Sequence, residues 1–185
     1  IFNNPELMNW FQEKRFVCES DFYCYNGYSE DALCTLSRGE AREKLNLESA
    51  TIYLVFVGGA SEWHGVDYLV ALQKEFIKHN DGVQIVVGGG DISNNDPFGY
   101  CLNLTPFNPI QCSELIAASD ICLLPVKNNR VSPGSPLKLY DYIVNKRLVV
   151  TQKDTKGYSD EVKKYEIGIC VDFSDPISSR LKVIN

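Results

Sequence analysis

The sequence predicts a doubly wound parallel α/β sheet on three observations: apolar runs without polar alternation, a glycine or proline closing most of them, and helical apolar spacing between them. Ile52-Tyr53-Leu54-Val55-Phe56-Val57 is continuously apolar and stops at Gly58-Gly59. A strand with no polar face has to be covered on both sides, which is the condition of a parallel sheet. Val66, Leu69, Val70, Phe76 and Ile77 follow at helical spacing and end before Asn80-Asp81-Gly82, so a helix covers that strand. A second strand over 83–87 ends in Gly88-Gly89-Gly90-Asp91, and a polar loop leads to a weaker strand over 102–105. Asn108-Pro109 reads as cap and first turn of a helix through 118. Ile121-Cys122-Leu123-Leu124 is the next strand, closed by Pro125, and a loop runs over 126–134. Ser135-Pro136 then starts a helix with Leu137, Tyr140 and Val144 on an apolar face, while Lys138 and Asp141, three apart, share another. Strands over 148–151 and 167–171 flank a charged helix of about ten residues from Ser159. The alternation implies a doubly wound, Rossmann-like fold.

Residues 1–50 differ in kind. A helix is expected over 5–15, a strand over 22–25 and a turn at Asn26-Gly27, followed by a polar connection and a charged stretch over 38–47, together read as a linker entering the domain. The first residue is Ile1 and the sole methionine is Met8, so the chain is expected to be an excised or processed part of something longer.

A length of 185 residues suits one domain, and 44% hydrophobic with 23% charged residues is the composition of a globular protein. No segment reaches the apolar length of a membrane span. A net charge of −6, with Lys and Arg scattered, supplies no field for a polyphosphate backbone, so nucleic acid is excluded as a main partner. The seven cysteines form no C-x-x-C pair and only His64 and His79 accompany them, so no metal site is expected. Cys122 and Cys170 sit in apolar runs as small buried hydrophobes, and the odd count suits a reducing cytosol while leaving a disulfide or two open. Asn103-Leu104-Thr105 is read as a chance glycosylation match.

In an open doubly wound sheet, ligands bind beyond the carboxyl ends of the strands. Gly58, Gly59, Gly88, Gly89 and Gly90 all lie there and offer backbone without side chains. Gly134-Ser135-Pro136 places a helix N-terminus at another strand end, where N–H groups and the dipole favour a phosphate. Each feature also has a plain reading: turn glycines, a capped helix start, and a solvated ion pair between Lys138 and Asp141. Gly88-Gly89-Gly90-Asp91-Ile92-Ser93 lacks the third glycine of the dinucleotide fingerprint, and Phe107 stands where a ribose-binding acid would be, so a nicotinamide enzyme is set aside.

Four blocks in order carry a family resemblance: Phe56 through Asp67 around Gly58-Gly59 and Trp63-His64-Gly65; Val86-Val87-Gly88-Gly89-Gly90; Ala118-Ser119-Asp120 leading into Leu124-Pro125; and Ser135-Pro136-Leu137-Lys138-Leu139-Tyr140-Asp141-Tyr142. Together they resemble the C-terminal, donor-binding domain of retaining family-4 glycosyltransferases, one half of the two-domain GT-B architecture. The resemblance extends from about Asn26-Gly27 to about Pro176. It implies transfer of a sugar, with retention, from a nucleotide-sugar such as a UDP- or GDP-sugar to a saccharide or lipid-linked acceptor, without cofactor or metal. It also implies that residues 1–27 end an N-terminal domain or link to it, and that 28–185 bind the donor.

By the same resemblance, Ser135, Pro136, Leu137 and Lys138 present N–H groups and a cation to the donor phosphates, with Gly58, Gly59, Gly89 and Gly90 beside them. Asp141 holds the ribose, one methylene shorter than the usual glutamate, and backbone groups around 107–110 meet the base. His64 and Lys138 are the candidate catalytic residues, His64 as a hydrogen-bond donor to phosphate or, equally, as a cap at the helix start. Many members carry an arginine and a lysine where this chain has Gly59 and His64, and the first acid of the family's paired motif would fall near Pro133. The acceptor site belongs to the absent N-terminal domain, so the isolated chain is expected not to turn over, and membrane contact would come only through that domain. The implied setting is cytoplasmic, at most peripheral to a membrane. Two alternatives stay open: a non-catalytic nucleotide-binding or interaction domain, and a nucleotide-sugar epimerase of the same architecture.

Overall fold

The computed structural model describes residues 1–16, 19–104, 108–127 and 136–185. The chain enters through helix α1 (Pro5–Glu13), capped by the Asn4 side chain, which accepts from the Leu7 N–H at 2.6 Å. It stops short of residue 15 because Arg15 turns left-handed, at φ 59°. The strand expected over 22–25 is a single bridge from Phe2 to Tyr23. The expected charged connection is instead helix α2 (Arg38–Lys44), with a capping box between Ser37 and Glu40. Its Ala41 and Arg42 are buried, so this stretch is packed into the domain and is not a linker.

The remaining elements alternate as expected: β1 (Ile52–Gly58), α3 (Val66–His79), β2 (Val83–Gly89), β3 (Leu102–Leu104), α4 (Pro109–Ala118), β4 (Ile121–Leu124), α5 (Leu137–Val144), β5 (Leu148–Gln152), α6 (Ser159–Lys164), β6 (Gly168–Val171) and α7 (Pro176–Ile184). The six strands are parallel, in the order β3-β2-β1-β4-β5-β6. The chain winds outward to β3, then returns to lay β4 beside β1, which makes the β1/β4 gap the topological switch point.

Both faces of the sheet are covered, as the unbroken apolar strands require. Leu54, Phe56, Ile85 and Val87 pack under Leu69, Leu72 and Phe76 of α3. Tyr53, Val55 and Val86 meet Ala41, Leu115 and Ala118 of α2 and α4, while Cys122, Leu124 and Val149 meet Leu139 and Tyr142 of α5 and Val162 of α6. Burying one such side chain contributes about 1.5–3 kcal/mol.

Three expectations change. Helix α5 buries Leu139 and Tyr142, whereas Leu137 is 61% exposed. Helix α6 ends at Lys164 because Glu166 turns left-handed, at φ 52°. After β6 the chain forms α7, which the sequence reading did not anticipate; Asp175 caps it, and Arg180 clasps Asp81 at the far end of α3 through both carboxylate oxygens.

Candidate functional site

Strands β1 and β4 pair through only Leu54–Ile121 and Val55–Cys122. Further along, the Tyr142 hydroxyl stands between them, accepting from Val57 N–H at 3.2 Å and donating to the Leu123 carbonyl at 3.3 Å. This phenol is fully buried and its pKa is raised well above the ordinary tyrosine value by that burial. It holds the crevice apart while satisfying backbone groups that the diverging strands leave behind.

The turn after β1 is drawn against the segment after β4. A short 3-10 turn, Glu62–His64, leads into Gly65, which is left-handed at φ 65°. A Cβ at Gly65 would run into the Pro125 carbonyl, and Lys127 N–H donates to the Trp63 carbonyl at 3.1 Å. Only glycine meets both demands, so the Trp-His-Gly stretch has a local physical reason.

That turn points His64 at α5. Lys138 Nζ lies 3.3 Å from His64 Nε2, and His64 Nδ1 lies 2.7 Å from Ser61 Oγ. An ammonium only donates, so Nε2 accepts from Lys138 and Nδ1–H donates to Ser61. In this structure His64 therefore accepts from the Lys138 ammonium. Lys138 also lies over the rings of Phe56, at 5.5 Å, and Trp63, at 6.0 Å.

The glycines divide by role. A Cβ at Gly58 would strike the Lys138 side chain, so its absence gives the lysine its place. Gly59 is exposed and faces open space. At Gly90 a Cβ would come within 2.9 Å of Gly59 Cα and 3.0 Å of Ala60 N. Gly89, left-handed at φ 103°, packs beside Gly58. The β2 glycines thus let two turns approach each other, and Gly59 is the backbone presented outward. Asn103 braces this turn, donating to the Val87 and Gly90 carbonyls and accepting from Ile92 N–H, which accounts for this asparagine without glycosylation.

Asp141 sits one turn beyond Lys138 and lines a cleft of about 300 Å³ with Asp31, Ala32, Val57, Pro109 and Cys112. Burial pushes its carboxyl up, more than Lys138 pulls it down, and burial and Asp141 push the Cys112 thiol up. Asn145 closes this side: it donates to the carbonyls of Ala32, at 2.6 Å, and Asp141, at 2.8 Å, and accepts from Cys34 N–H at 3.0 Å. Pro136 is buried at the start of α5 and Leu137 points outward. Ser135 and Phe107 lie outside the described residues. The structure thus brings together Gly58, Gly59, His64, Lys138 and Asp141, and adds Ser61, Tyr142 and Asn145, which sequence reasoning did not single out.

Among the described residues no cysteine pairs with another: Cys101 and Cys122 are the buried ones, their thiols pushed up to about 12 by burial, while Cys170 is only partly buried. No group of three or more His, Cys, Asp or Glu among them could hold a metal, and none of their helices is long and apolar enough to cross a membrane.

No protein-family model and no curated protein matches the sequence. Solved structures do. WaaG, a glycosyltransferase involved in lipopolysaccharide biosynthesis, is 17% identical over 100% of this chain and 53% of its own, with a TM-score of 0.78. HepE from Anabaena, solved with UDP-glucose, is 16% identical over 100% of this chain and 52% of its own, with a TM-score of 0.78. The C-terminal domain of the group 1 glycosyltransferase LpcC from Francisella tularensis is 11% identical over 85% of this chain and 86% of its own, with a TM-score of 0.65. At such identities the likeness is one of fold: this chain has the Rossmann-like fold found in GT-B glycosyltransferases and spans about half the length of WaaG and HepE.

Proposed function

We propose that this chain is the donor-binding half of a retaining glycosyltransferase, holding a nucleotide-sugar in the β1/β4 crevice while the rest of the protein supplies the acceptor. The observation that carries the reading is the adjacency of two unlike surfaces across one turn of α5. On one side the Lys138 ammonium stands over Gly58 beside the open backbone of Gly59; on the other Asp141 looks into a partly apolar cleft. A nucleoside diphosphate has the same polarity, with anionic oxygens at one end and a flat base on a diol-bearing ribose at the other.

Each group then has a role. Lys138 and the Gly58–Gly59 backbone meet the diphosphate, and the start of α5 adds its N–H groups. Asp141 accepts from the ribose hydroxyls, and Val57, Pro109 and Cys112 cover the nucleoside. When the bond from the sugar to the diphosphate breaks, its electron pair passes to the leaving phosphate oxygen. A cation already fixed there stabilises that charge without reorganising. His64 positions Lys138 for this and is itself held by Ser61. The neighbours WaaG and HepE support the choice of reaction class. The retaining outcome and the acceptor rest on the sequence resemblance alone, and the cytoplasmic setting on that resemblance and the cysteine usage.

The test is calorimetric titration of the 185-residue chain with UDP, GDP, ADP and their glucose conjugates. Saturable binding of one base, weakened in Lys138→Ala and in Asp141→Ala, is expected, with no sustained transfer by this chain alone. Absence of binding for all of them at about millimolar ligand, near −4 kcal/mol, would overturn the reading.

A further inference from the structure

One proton is settled by the hydrogen bonds at the phosphate end of the crevice. With Lys138 as an ammonium donating to Nε2 and Ser61 accepting from Nδ1–H, the His64 imidazole is neutral. A proton placed on Nε2 would replace that hydrogen bond with two cations facing each other. His64 is buried, with Trp63 3.7 Å and Phe56 5.8 Å from the imidazole, ring to ring. An anion lodged at the mouth of the pair reverses the balance. Its oxygens accept from both nitrogens at once, Lys138 moves off Nε2, and the two charges are opposed by the ligand instead of by each other.

We infer that a nucleotide-sugar enters this site together with a proton, taken up by His64 at Nε2, so that the His64–Lys138 pair carries one positive charge when empty and two when occupied. This rests on the donor-site reading above. It also gives a second cation to a site that has Gly59 and His64 where the resemblance leads one to expect an arginine and a lysine. Among the described residues, the other charged groups nearby include Glu62, exposed on the same turn, and Asp67 at the start of α3, which Lys127 engages at 2.9 Å. Asp141 on α5 faces the cleft on the other side of Lys138.

Calorimetry across the histidine range tests this with UDP-, GDP- and ADP-glucose, whose diester phosphates do not titrate where histidine does. The tightest binder is carried forward in two buffers of different ionisation enthalpy. The chain should take up close to one proton per nucleotide and bind up to about tenfold tighter per unit fall in pH. In His64→Gln the amide oxygen still accepts from Lys138 but cannot titrate. Proton uptake should vanish there, and affinity should become flat with pH. In proton NMR the His64 imidazole should move to its charged position on binding, while His79, exposed on α3, serves as the unmoved reference. Binding without proton uptake, or a His64→Gln variant that keeps the pH slope, would overturn this inference and leave the donor site standing. Failure of all three conjugates to bind would overturn both.

Discussion

The two ends of the β1–β4 seam are made from similar residues and serve opposite purposes. At the amino end, Asp120 accepts from Tyr53 N–H at 2.8 Å, from Arg42 at 2.6 Å and from Arg38 at 2.7 Å. Arg42 spends its other donors on the carbonyls of Ala118 and Ser49 and lies 5.1 Å over the Tyr53 ring. Cation and carboxylate answer each other there, and the result is a rivet between α2 and the sheet. At the carboxyl end, Lys138 meets an imidazole and ring faces, and Asp141 looks into a cleft. Charge closed on itself holds a sheet together, whereas the charge at the carboxyl end stands beside exposed backbone and a cleft, where the proposed donor site lies.

The comparison breaks or sharpens by substitution, and the largest effect is expected at the amino end. Asp120→Ala leaves the Arg42 cation buried without its partner and should cost about 3–5 kcal/mol in urea unfolding, with nucleotide affinity unchanged in the protein that stays folded. A cost below about 1 kcal/mol would show that the rivet is ornamental. Tyr142→Phe strands the Val57 N–H and the Leu123 carbonyl and should cost about 2 kcal/mol. Lys138→Ala should alter stability by no more than about 0.5 kcal/mol while weakening nucleotide binding by about tenfold, near 1.4 kcal/mol. An equal fall in stability would move Lys138 from the ligand site to the framework.

The smallest effect is at Asp141. Its carboxyl is raised by burial, so the stability it adds is fully present only in acid and is lost as pH rises through the raised value. Asp141→Asn should therefore be slightly more stable than wild type at neutral pH, by less than about 1 kcal/mol for a half-buried group. That advantage should shrink as pH falls through the carboxylate range. Nucleotide binding should weaken in the same variant, which separates the cost of keeping an acid in the cleft from its use.

Strands β1, β2, β4 and β5 were legible because burial of most of their residues leaves little choice of residue, whereas β3 is short, carries Asn103 and is only partly covered. Strand order was not legible, since nothing local tells β4 to return beside β1. Helix α2 hid because its inward face is an arginine, Arg42, whose burial depends on Asp120 far along the chain. Helix α7 did carry a local signal, Asp175-Pro176 followed by Ile177, Leu181 and Ile184, that passed unread. Among the candidate site residues, Lys138 and Asp141 were singled out by the resemblance of the Ser135–Tyr142 block, their spacing alone fitting an ion pair equally well. Tyr142 could not be, because an aromatic at the inward face of a helix looks like core until its hydroxyl is seen between two strands. Asn145 reads as an ordinary helix end, and its bonds to Ala32 and Cys34 exist only in three dimensions.

The phenol of Tyr142 works as a gauge. It fixes the width of the crevice mouth from inside the molecule, where no solvent or ligand reaches it. The residues that would distinguish one cargo from another approach that mouth from helices outside it. Evolution can therefore rewrite the rim at Cys112, Asp141 or the start of α4 without disturbing the spacing of the sheet. In the donor site proposed above the same division of labour holds: a change of donor would alter the rim and leave the gauge in place.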